Sequence, residues 1–381
     1  MNNYLLSSIK PFYVMEILEK AQEYEKKGRK ITHLEIGEPT QKVSSIIKKT
    51  AKNSIEKGYD RYSNSLGVLE LRQMVAKKYK ENLDVKISPD QVIVTTGSSA
   101  ALILALISLI KRGDQVVIVE PYYPCYPQLI KIFGGKVRVF KTHERDGYQI
   151  DTIKLKKFLS KKDKVLILNS PSNPTGVSQN KEVLSFLSFL GINIISDEIY
   201  QGLNYDLDAE TILQHDDKAI VVNGFSKFYS MTGWRLGYLV VPKGMIRGIQ
   251  KLQQNMYICA PTISQHAAIG ALQIDNNEIR NMLKSYKKRR DLTIKSLSNM
   301  GIDIGYSPDS SFYVFANMSK YTDNSLDLSL DILNKVSLGV APGLDFGPSF
   351  KRYIRFSYSS SYRNIQIGLD KMREYIKGYT E

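Results

Sequence analysis

The amino-acid sequence predicts an α/β protein with a large domain, whose mostly parallel seven-stranded sheet is covered by helices, and a smaller α+β domain built from both termini. Seven short β-branched runs support the sheet: QVIVTTG, QVVIVEP, KVRVFKT, KVLILNSP, INIISDEIY, AIVVNGF and LGYLVVP. Helix-like segments separate several of these apolar runs, which is typical of a parallel sheet buried on both faces. From about Asn276 the pattern changes to a long charged helix, two or three strands and a C-terminal helix ending near Lys377, which predicts the second domain.

The segments before the sheet predict an N-terminal arm and several helices. The run VMEILEKAQEYEKKG has apolar residues at helical spacing and ends at Gly28, and ITHLEIGEPT predicts a short strand and a turn. A helix over 43–57, the tyrosine-rich loop GYDRYSNSLG and another amphipathic helix follow. The arm has too little apolar surface to fold alone, so we expect it to pack on the C-terminal domain. The predicted divisions are 1–42 (arm and part of the small domain), 43–275 (large domain) and 276–381 (small domain).

Composition is that of a soluble globular protein, with 43% hydrophobic and 24% charged residues. The start MNNYLLSSIKPF lacks the features of a signal peptide, and the longest apolar run, 100–110, is too short for a membrane span. Cys125 and Cys259 cannot form a disulfide framework, and neither has a Cys or His neighbour at metal-ligand spacing. We therefore expect a cytoplasmic protein without a metal site.

The formal net charge of +15 raises the question of a nucleic-acid partner. The basic clusters KKGRK (Lys26–Lys30) and KKRR (Lys287–Arg290) lie in helix-like segments without a known binding motif. We interpret both as solvated helix faces rather than as a nucleic-acid site. A basic surface would still attract anionic small molecules into clefts.

Polar residues follow the predicted strands at the edge where open α/β sheets place their chemistry. The first such segment, TTGSS, leads into a helix, so Ser98 and Ser99 are either plain N-cap residues or part of a phosphate site. In EPYYPCYP, one tyrosine could stack on a ring, although packing is the commoner use of tyrosine. In NSPSNPTG, Asn169 and Asn173 are available as donors.

Charged residues follow two further strands. INIISDEIY brings Asp197 and Glu198 to the end of an apolar strand, where a buried carboxylate needs a partner or a task. Lys227 follows the run AIVVNGF about one strand–helix–strand unit later, so it can lie near Asp197; taken alone, it could equally be a solvated loop lysine. A lysine amine, a carboxylate, a phosphate cradle and an aromatic plate together are typical of a Schiff-base cofactor site.

The sequence resembles the class I aminotransferases, which are pyridoxal-phosphate enzymes of fold type I with an aspartate aminotransferase-like fold. The resemblance extends from the GEP turn at Gly37 to Arg355. Its most specific motifs are NPTG with Asn173, SDEIY with Asp197 and Tyr200, SKFYSMTGWRLGY with Lys227 and Arg235, and RFSY with Arg355.

The resemblance implies a function and a set of site residues. The cofactor would be pyridoxal 5'-phosphate, Lys227 the Schiff-base lysine, and Asp197 and Tyr200 its catalytic companions. The implied cofactor-binding residues are Gly97, Ser98, Ser99, Tyr123, Asn173, Asp197, Tyr200, Ser226, Lys227, Arg235 and Tyr62. Tyr62 would reach across a homodimer interface to the neighbouring subunit's phosphate. Gly37, Asn173 and Arg355 would contact the substrate, with Arg355 clamping its α-carboxylate.

The implied reaction moves an amino group between an L-amino acid and a 2-oxo acid, with 2-oxoglutarate as the expected acceptor. The donor would be aspartate or glutamate, or the specificity would be broad. Ser99 stands where some aspartate-preferring relatives have a lysine, which weakens a strict aspartate assignment. Ser310, Ser311, Leu344 and Asp345 also depart from the family pattern, in segments that border the substrate in relatives. A carbon-sulfur β-lyase on the same fold is the alternative, because the cofactor anchors would be identical.

Overall fold

The computed structural model describes residues 7–205 and 207–380, so residues 1–6 of the predicted arm lie outside the described residues. The helices are α1 (Tyr13–Lys26), α2 (Ser45–Glu56), α3 (Leu69–Leu83), α4 (Gly97–Leu109), α5 (Cys125–Ile132), α6 (Thr152–Phe158), α7 (Lys181–Ser188), α8 (Ile246–Met256), α9 (Thr262–Ala271), α10 (Asn276–Ser298), α11 (Ser325–Val336) and α12 (Tyr362–Thr380). The strands are β1 (Thr32–His33), β2 (Val92–Thr95), β3 (Gln115–Glu120), β4 (Lys136–Lys141), β5 (Asp163–Asn169), β6 (Asn193–Asp197), β7 (Ile220–Gly224), β8 (Gly237–Val240), β9 (Tyr313–Asn317), β10 (Leu338–Gly339), β11 (Ala341–Pro342) and β12 (Tyr353–Ser357).

The seven predicted runs form one sheet, in the order β2-β8-β7-β6-β5-β3-β4. The pairs from β7 through β4 are parallel, while β8 runs antiparallel to both β2 and β7. Because β8 is reversed, β2 points in the same direction as β7. The carboxyl ends of β2, β3, β5, β6 and β7 therefore meet at one edge of the sheet, as the prediction of a mostly parallel seven-stranded sheet requires.

The sheet is buried on both faces, which explains why its strands are nearly continuous apolar runs. Val92 and Val94 pack into a core with α2, α3, α7 and α9, whereas Ile93 between them packs into a second core with α4, α5 and α8. Successive side chains on a strand point to opposite faces, so a strand covered on both sides needs apolar residues throughout.

The C-terminal part adds a three-stranded antiparallel sheet in the order β11-β12-β9 and a parallel β1-β10 pair. The predicted charged helix is α10 and the predicted terminal helix is α12. Helix α11 was not predicted; Asn324 caps it by accepting a hydrogen bond from the Leu326 N–H. Helix α1 packs Ile17 and Ala21 against Leu333 of α11, as expected for the N-terminal arm.

The interpretation of KKRR as a solvated helix face is wrong for its two arginines. Arg289 and Arg290 are only 6% and 9% exposed on α10. Arg289 Nη1 donates to the carbonyl oxygens of Ser359 and Ser360 at 3.1 and 2.9 Å, and Arg290 Nη1 donates to the Pro308 carbonyl oxygen at 2.9 Å. The two arginines are therefore buried because they donate hydrogen bonds to buried carbonyl oxygens that need partners.

Within residues 7–205 and 207–380, we find no helix whose length and apolar character would let it cross a membrane.

Candidate active site

A cavity of ≈ 650 Å³ lies at the sheet edge where the carboxyl ends of the parallel strands meet. Its wall brings together eleven of the residues singled out in the sequence: Gly37, Ser98, Ser99, Tyr123, Asn173, Asp197, Tyr200, Ser226, Lys227, Arg235 and Arg355. These residues come from the loops after β2, β3, β5, β6 and β7, from the turn after β1, and from β12. The topology thus gathers positions more than 300 residues apart into one site.

Lys227 lies three residues beyond the end of β7 and directs its amine into this cavity. Its Nζ donates to the Gly37 carbonyl oxygen at 2.8 Å. Burial lowers the pKa of Lys227 to about 8, and the cationic Arg355 and Arg235 contribute to that direction. An amine with such a pKa is available in its neutral, nucleophilic form near physiological pH.

The Gly37 position is sterically demanding as well as polar. A Cβ atom added there would lie 1.9 Å from the Tyr313 hydroxyl oxygen. Only glycine lets the backbone pass this close to the tyrosine and present its carbonyl to Lys227. The sequence alone favoured a plain turn here, whereas the structure shows a close approach of the Gly37 backbone to Tyr313.

Asp197 ends β6 and is 7% exposed. Burial raises the pKa of Asp197 to about 6, an effect opposed by two donors and by Lys227. The Tyr126 hydroxyl donates to Asp197 Oδ2 at 2.6 Å, and the Ile199 N–H donates to Oδ1 at 3.2 Å. A buried carboxylate held in this way at a cavity wall is suited to accept a hydrogen bond from a cationic ring N–H.

The start of α4 faces the side chain of Arg235. Gly97 has φ +77°, and a Cβ atom there would lie 2.6 Å from Arg235 Nη2. The free N–H groups at this helix N-terminus and the hydroxyls of Ser98, Ser99 and Ser226 line the same cavity or its entrance. Together with the guanidinium they form a set of donors suited to a phosphate group.

Arg355 projects from β12 into the other end of the cavity and is 3% exposed. Its Nη1 donates to Asn173 Oδ1 at 2.8 Å, and its Nη2 donates to the Glu35 carbonyl oxygen. The guanidinium carbon lies 4.4 Å from the Tyr313 ring centroid and 5.1 Å from that of Phe346. Arg355 Nε is buried and makes no hydrogen bond within the described part of the chain, so this group retains a donor.

Two tyrosine hydroxyls meet beside Arg355. The hydroxyls of Tyr200 and Tyr313 are 2.8 Å apart, and burial raises the pKa of both phenols. Both therefore remain protonated donors at physiological pH. Tyr123, predicted as the stacking tyrosine, also lines the cavity.

Six of the positions discussed above are not among the residues that line this cavity, and one of them, Gly97, directly precedes the lining residue Ser98. Tyr62 is 80% exposed and lines a different surface depression with Tyr59 and Arg61. Ser310 and Ser311 are fully buried, and the Ser310 hydroxyl donates to the Gly176 carbonyl oxygen. Neither they nor Leu344 and Asp345 are among the residues that line the cavity.

Several cavity residues were missed in the sequence. Phe12, Val14 and Met15 from the start of α1, together with Leu102, Ile103 and Leu129, form an apolar wall. Tyr313, two residues after Ser311, also lines the cavity and was not predicted as a site residue. The apolar cluster FYVM before a charged helix was the available signal, but nothing local indicates which surface that cluster covers.

The side chains present fit pyridoxal phosphate. The cavity offers an amine of lowered pKa, a buried carboxylate for a ring N–H, a donor cradle that a Cβ at Gly97 would obstruct, and an arginine with an unused buried donor. Each feature matches one part of that cofactor or of an amino-acid carboxylate.

Comparison with known proteins agrees with this geometry. The family model of aminotransferase class I and II matches residues 29–372, and the chain therefore belongs to that family of pyridoxal-phosphate-dependent transferases. The chain is a transaminase, and both the predicted family and the predicted fold are confirmed.

Its relatives have different substrates. The chain is 39% identical over 375 residues to a (5-formylfuran-3-yl)methyl phosphate transaminase of Methanocaldococcus jannaschii, covering 97% of this chain and 98% of that protein. A Methanococcus jannaschii crystal structure, described as similar in its active site to kynurenine aminotransferases, matches with a TM-score of 0.91 and 38% identity over 99% and 100% of the two chains. The aspartate aminotransferase of Thermus thermophilus with maleate matches with a TM-score of 0.91 and 28% identity over 98% and 99%.

Proposed function

We propose that this transaminase uses pyridoxal phosphate held by Lys227 to move amino groups from L-amino acids with apolar or aromatic side chains, within a broad specificity, to a 2-oxo acid. The observation that carries the proposal is that one cavity contains Lys227, Asp197 and Arg355 at its polar end and an apolar wall from α1 and α4. In this proposal residues 43–275 supply the cofactor anchors together with Leu102, Ile103 and Leu129 of the apolar wall, whereas the arm 1–42 supplies the rest of that wall and residues 276–381 supply Arg355.

When bound, pyridoxal phosphate carries the amino group and disperses the charge left at the substrate Cα. Lys227 would hold the cofactor covalently until the amino acid replaces it; the released amine would then remove the proton from Cα of the donor and, in the reverse direction, deliver a proton to Cα of the acceptor. Asp197 would keep the ring nitrogen protonated, while Asn173 and Tyr200 would donate to the ring oxygen. The residues that would hold the phosphate are Gly97, Ser98, Ser99, Ser226 and Arg235, and Tyr123 would stack on the ring.

Arg355 orients the substrate by binding its α-carboxylate through two donors. Asn173 contributes to this task by holding Arg355 Nη1 at 2.8 Å. The bond from Nη2 to the Glu35 carbonyl keeps the plane of the guanidinium against the Tyr313 ring. This end of the cavity thus fixes the Cα–H bond relative to Lys227, which is the contribution of orientation to catalysis.

The apolar donor class follows from how the cavity distributes its charges. Among the described lining residues, the cations are Lys227, Arg235 and Arg355, and the proposal assigns each of them to the cofactor or the α-carboxylate. A donor side chain would instead face Phe12, Val14, Met15, Leu102, Ile103 and Leu129. Burying an apolar side chain there gains about 1.5–3 kcal/mol, a gain that a charged side chain does not make.

We propose 2-oxoglutarate as the acceptor and a homodimer as the working form. The net charge of +15 favours the approach of a dianionic acceptor over a monoanionic one.

The proposed homodimer rests on the surface around Tyr62. The exposure of Tyr62 at 80%, beside exposed Tyr59 and Leu69, is consistent with a surface that another subunit covers. In such a dimer Tyr62 would reach the partner's phosphate, and Tyr62→Phe should weaken cofactor retention without changing sedimentation.

A donor and acceptor screen on the purified holoenzyme tests the proposed substrates. Phenylalanine, leucine, alanine, glutamate and aspartate are the donors; 2-oxoglutarate, pyruvate and (5-formylfuran-3-yl)methyl phosphate are the acceptors. We expect the highest kcat/KM for phenylalanine or leucine with 2-oxoglutarate. A clear preference for aspartate would refute the donor class, and pyruvate and ammonia released from cystathionine without keto-acid-dependent turnover would identify a lyase instead.

Lys227→Ala tests the cofactor assignment in the same protein. The variant should lose both the visible absorbance of the covalently held cofactor and all transamination. Lys284→Ala, which changes a lysine outside the cavity wall, is the matched control and should retain both. Transamination and absorbance that survive in Lys227→Ala would show that the cofactor is held elsewhere.

A further inference from the structure

The short turn Gly343–Phe346 contains Asp345, a carboxylate that is 7% exposed and lies outside the cavity wall. Its Oδ1 accepts a hydrogen bond from the Tyr13 N–H at 3.0 Å, and its Oδ2 accepts one from the Val14 N–H at 2.8 Å. These N–H groups belong to the first turn of α1, whose own N-cap residue, Phe12, offers no side-chain acceptor. Asp345 therefore caps a helix that begins more than 300 residues earlier in the chain.

The neighbouring residue connects the same turn to the polar end of the site. The Phe346 ring lies 5.1 Å from the Arg355 guanidinium carbon, and the Phe346 carbonyl accepts a hydrogen bond from the Tyr122 N–H at 3.0 Å. The turn is therefore anchored both to the carboxylate-binding arginine and to the loop that carries Tyr123. Because the turn is anchored at these two points, it fixes the position of the Asp345 carboxylate and of the groups that bind it.

Asp345 holds the residues that form one side of the apolar wall. Phe12, Val14 and Met15 all line the cavity and lie within three residues of the two capped amides. Helix α1 is separated from the sheet edge in sequence, so its position relative to Arg355 depends on tertiary contacts. The contact with Asp345 is a polar one that reaches the helix start directly.

We propose that Asp345 is a positioning residue for donor specificity: by capping α1 it places Phe12, Val14 and Met15 against the side chain of an apolar amino donor. The proposal rests on the apolar donor class proposed above. It gives a role to a position that departs from the family pattern without touching the substrate. The effect should appear in the recognition of the donor side chain and spare the chemistry at Cα.

Asp345→Asn is the test variant, because it preserves side-chain size but leaves one of the two amides without an acceptor. We expect KM for phenylalanine to rise on the order of tenfold, with kcat and the KM for alanine within about twofold of the wild type. Amide hydrogen exchange, followed by mass spectrometry on the holoenzyme and on the apoprotein, should be faster for the peptide that contains Tyr13 and Val14. Asp345→Ala should show both effects more strongly, provided that its circular dichroism remains that of the wild type.

Asp151→Asn is the matched control, since Asp151 caps α6 by accepting the Lys154 N–H at 2.9 Å and does not line the cavity. It should leave both donor constants unchanged. Unchanged exchange at Tyr13 and Val14 in Asp345→Asn would overturn the proposal, as would an equal loss for phenylalanine and alanine. If the wild type itself handles these donors equally, the donor class is wrong, while faster exchange in the variant would still support the capping role of Asp345.

Discussion

The hydrogen bond from Tyr126 to Asp197 should determine how cofactor affinity depends on pH. The Tyr126 hydroxyl donates to Asp197 Oδ2 at 2.6 Å, and both side chains are buried. Burial holds the pKa of Asp197 at about 6, and this bond opposes the rise by stabilising the charged form. Tyr126→Phe removes the donor with little change in volume, so the pKa of Asp197 should rise past neutrality.

The magnitude follows from the cost of ionising Asp197 before it can accept the ring N–H of the cofactor. A hydrogen bond to a charged group contributes about 1.5–3 kcal/mol. We take a contribution of about 2 kcal/mol from that range. The variant should then bind pyridoxal phosphate about 15-fold more weakly than the wild type at pH 6, about fourfold more weakly at pH 7 and almost equally at pH 8.5. The loss of affinity depends on pH because a raised pKa of Asp197 penalises its charged form. The variant therefore binds much more weakly than the wild type at low pH, and the difference disappears above the pKa of Asp197 in the variant.

The assay is an absorbance titration of apoprotein with pyridoxal phosphate at pH 6, 7 and 8.5. The ratio of variant to wild-type affinity at each pH cancels the contribution of Lys227, which both proteins share. Tyr79→Phe is the control, because Tyr79 is buried to a similar degree but does not donate to the Asp197 carboxylate, whose hydrogen bonds come from Tyr126 and the Ile199 N–H. A deficit of the same size at every pH would show that Tyr126 acts through packing, and the absence of a deficit at pH 6 would refute the assigned role of Asp197.

Further predictions concern the polar end of the cavity and the buried basic cluster. Arg355→Lys should raise KM for donors and acceptors alike by about 100-fold, because an ammonium cannot make the paired donation of a guanidinium; steady-state kinetics with both substrates would check this, and a change confined to the donor would contradict it. Arg289→Ala should lower the free energy of unfolding by about 3 kcal/mol, since two buried carbonyls lose their donor. Lys288→Ala, on the exposed face of the same helix, should change it by less than about 0.5 kcal/mol, and urea denaturation would measure both values. The rate at which apoprotein attaches pyridoxal phosphate should increase about tenfold per pH unit and level off near pH 8, where Lys227 titrates; a plateau only above pH 10 would show an ordinary lysine.

The large sheet could be predicted because its determinants are local. Each of its strands is a short β-branched run, and burial on both faces removes the need for polar alternation. Helix α11 escaped prediction for the opposite reason: Leu326, Leu328, Leu330 and Ile332 alternate with polar residues, which is typical of a strand. The Asn324 cap and packing against α1 and α12 override that pattern in the fold.

The polar half of the site was also accessible from sequence, because residues such as Asp197 and Lys227 follow predicted strands directly. The contacts that shift the pKa values of these residues could not be predicted from the sequence. Tyr126 was one of three tyrosines that could equally have served packing, and only the fold shows that its hydroxyl meets Asp197. The burial of Arg289 depends on carbonyls about 70 residues away, and a pattern of charges along one helix carries no information about such partners.

The groups proposed to act on the cofactor and the α1 side of the apolar wall come from different parts of the chain, and this has a consequence for specificity. The groups proposed to act on the cofactor, Lys227 and Asp197, are fixed by the sheet edge and by Tyr126. The apolar wall depends on helix α1 and on its cap by Asp345, which contacts neither of them. Substitutions in the start of α1 or in the Gly343–Phe346 turn can therefore change which side chain is accepted while the proton transfer at Cα is preserved. This separation offers a physical reason why relatives that share this fold at 28–39% identity have such different substrates.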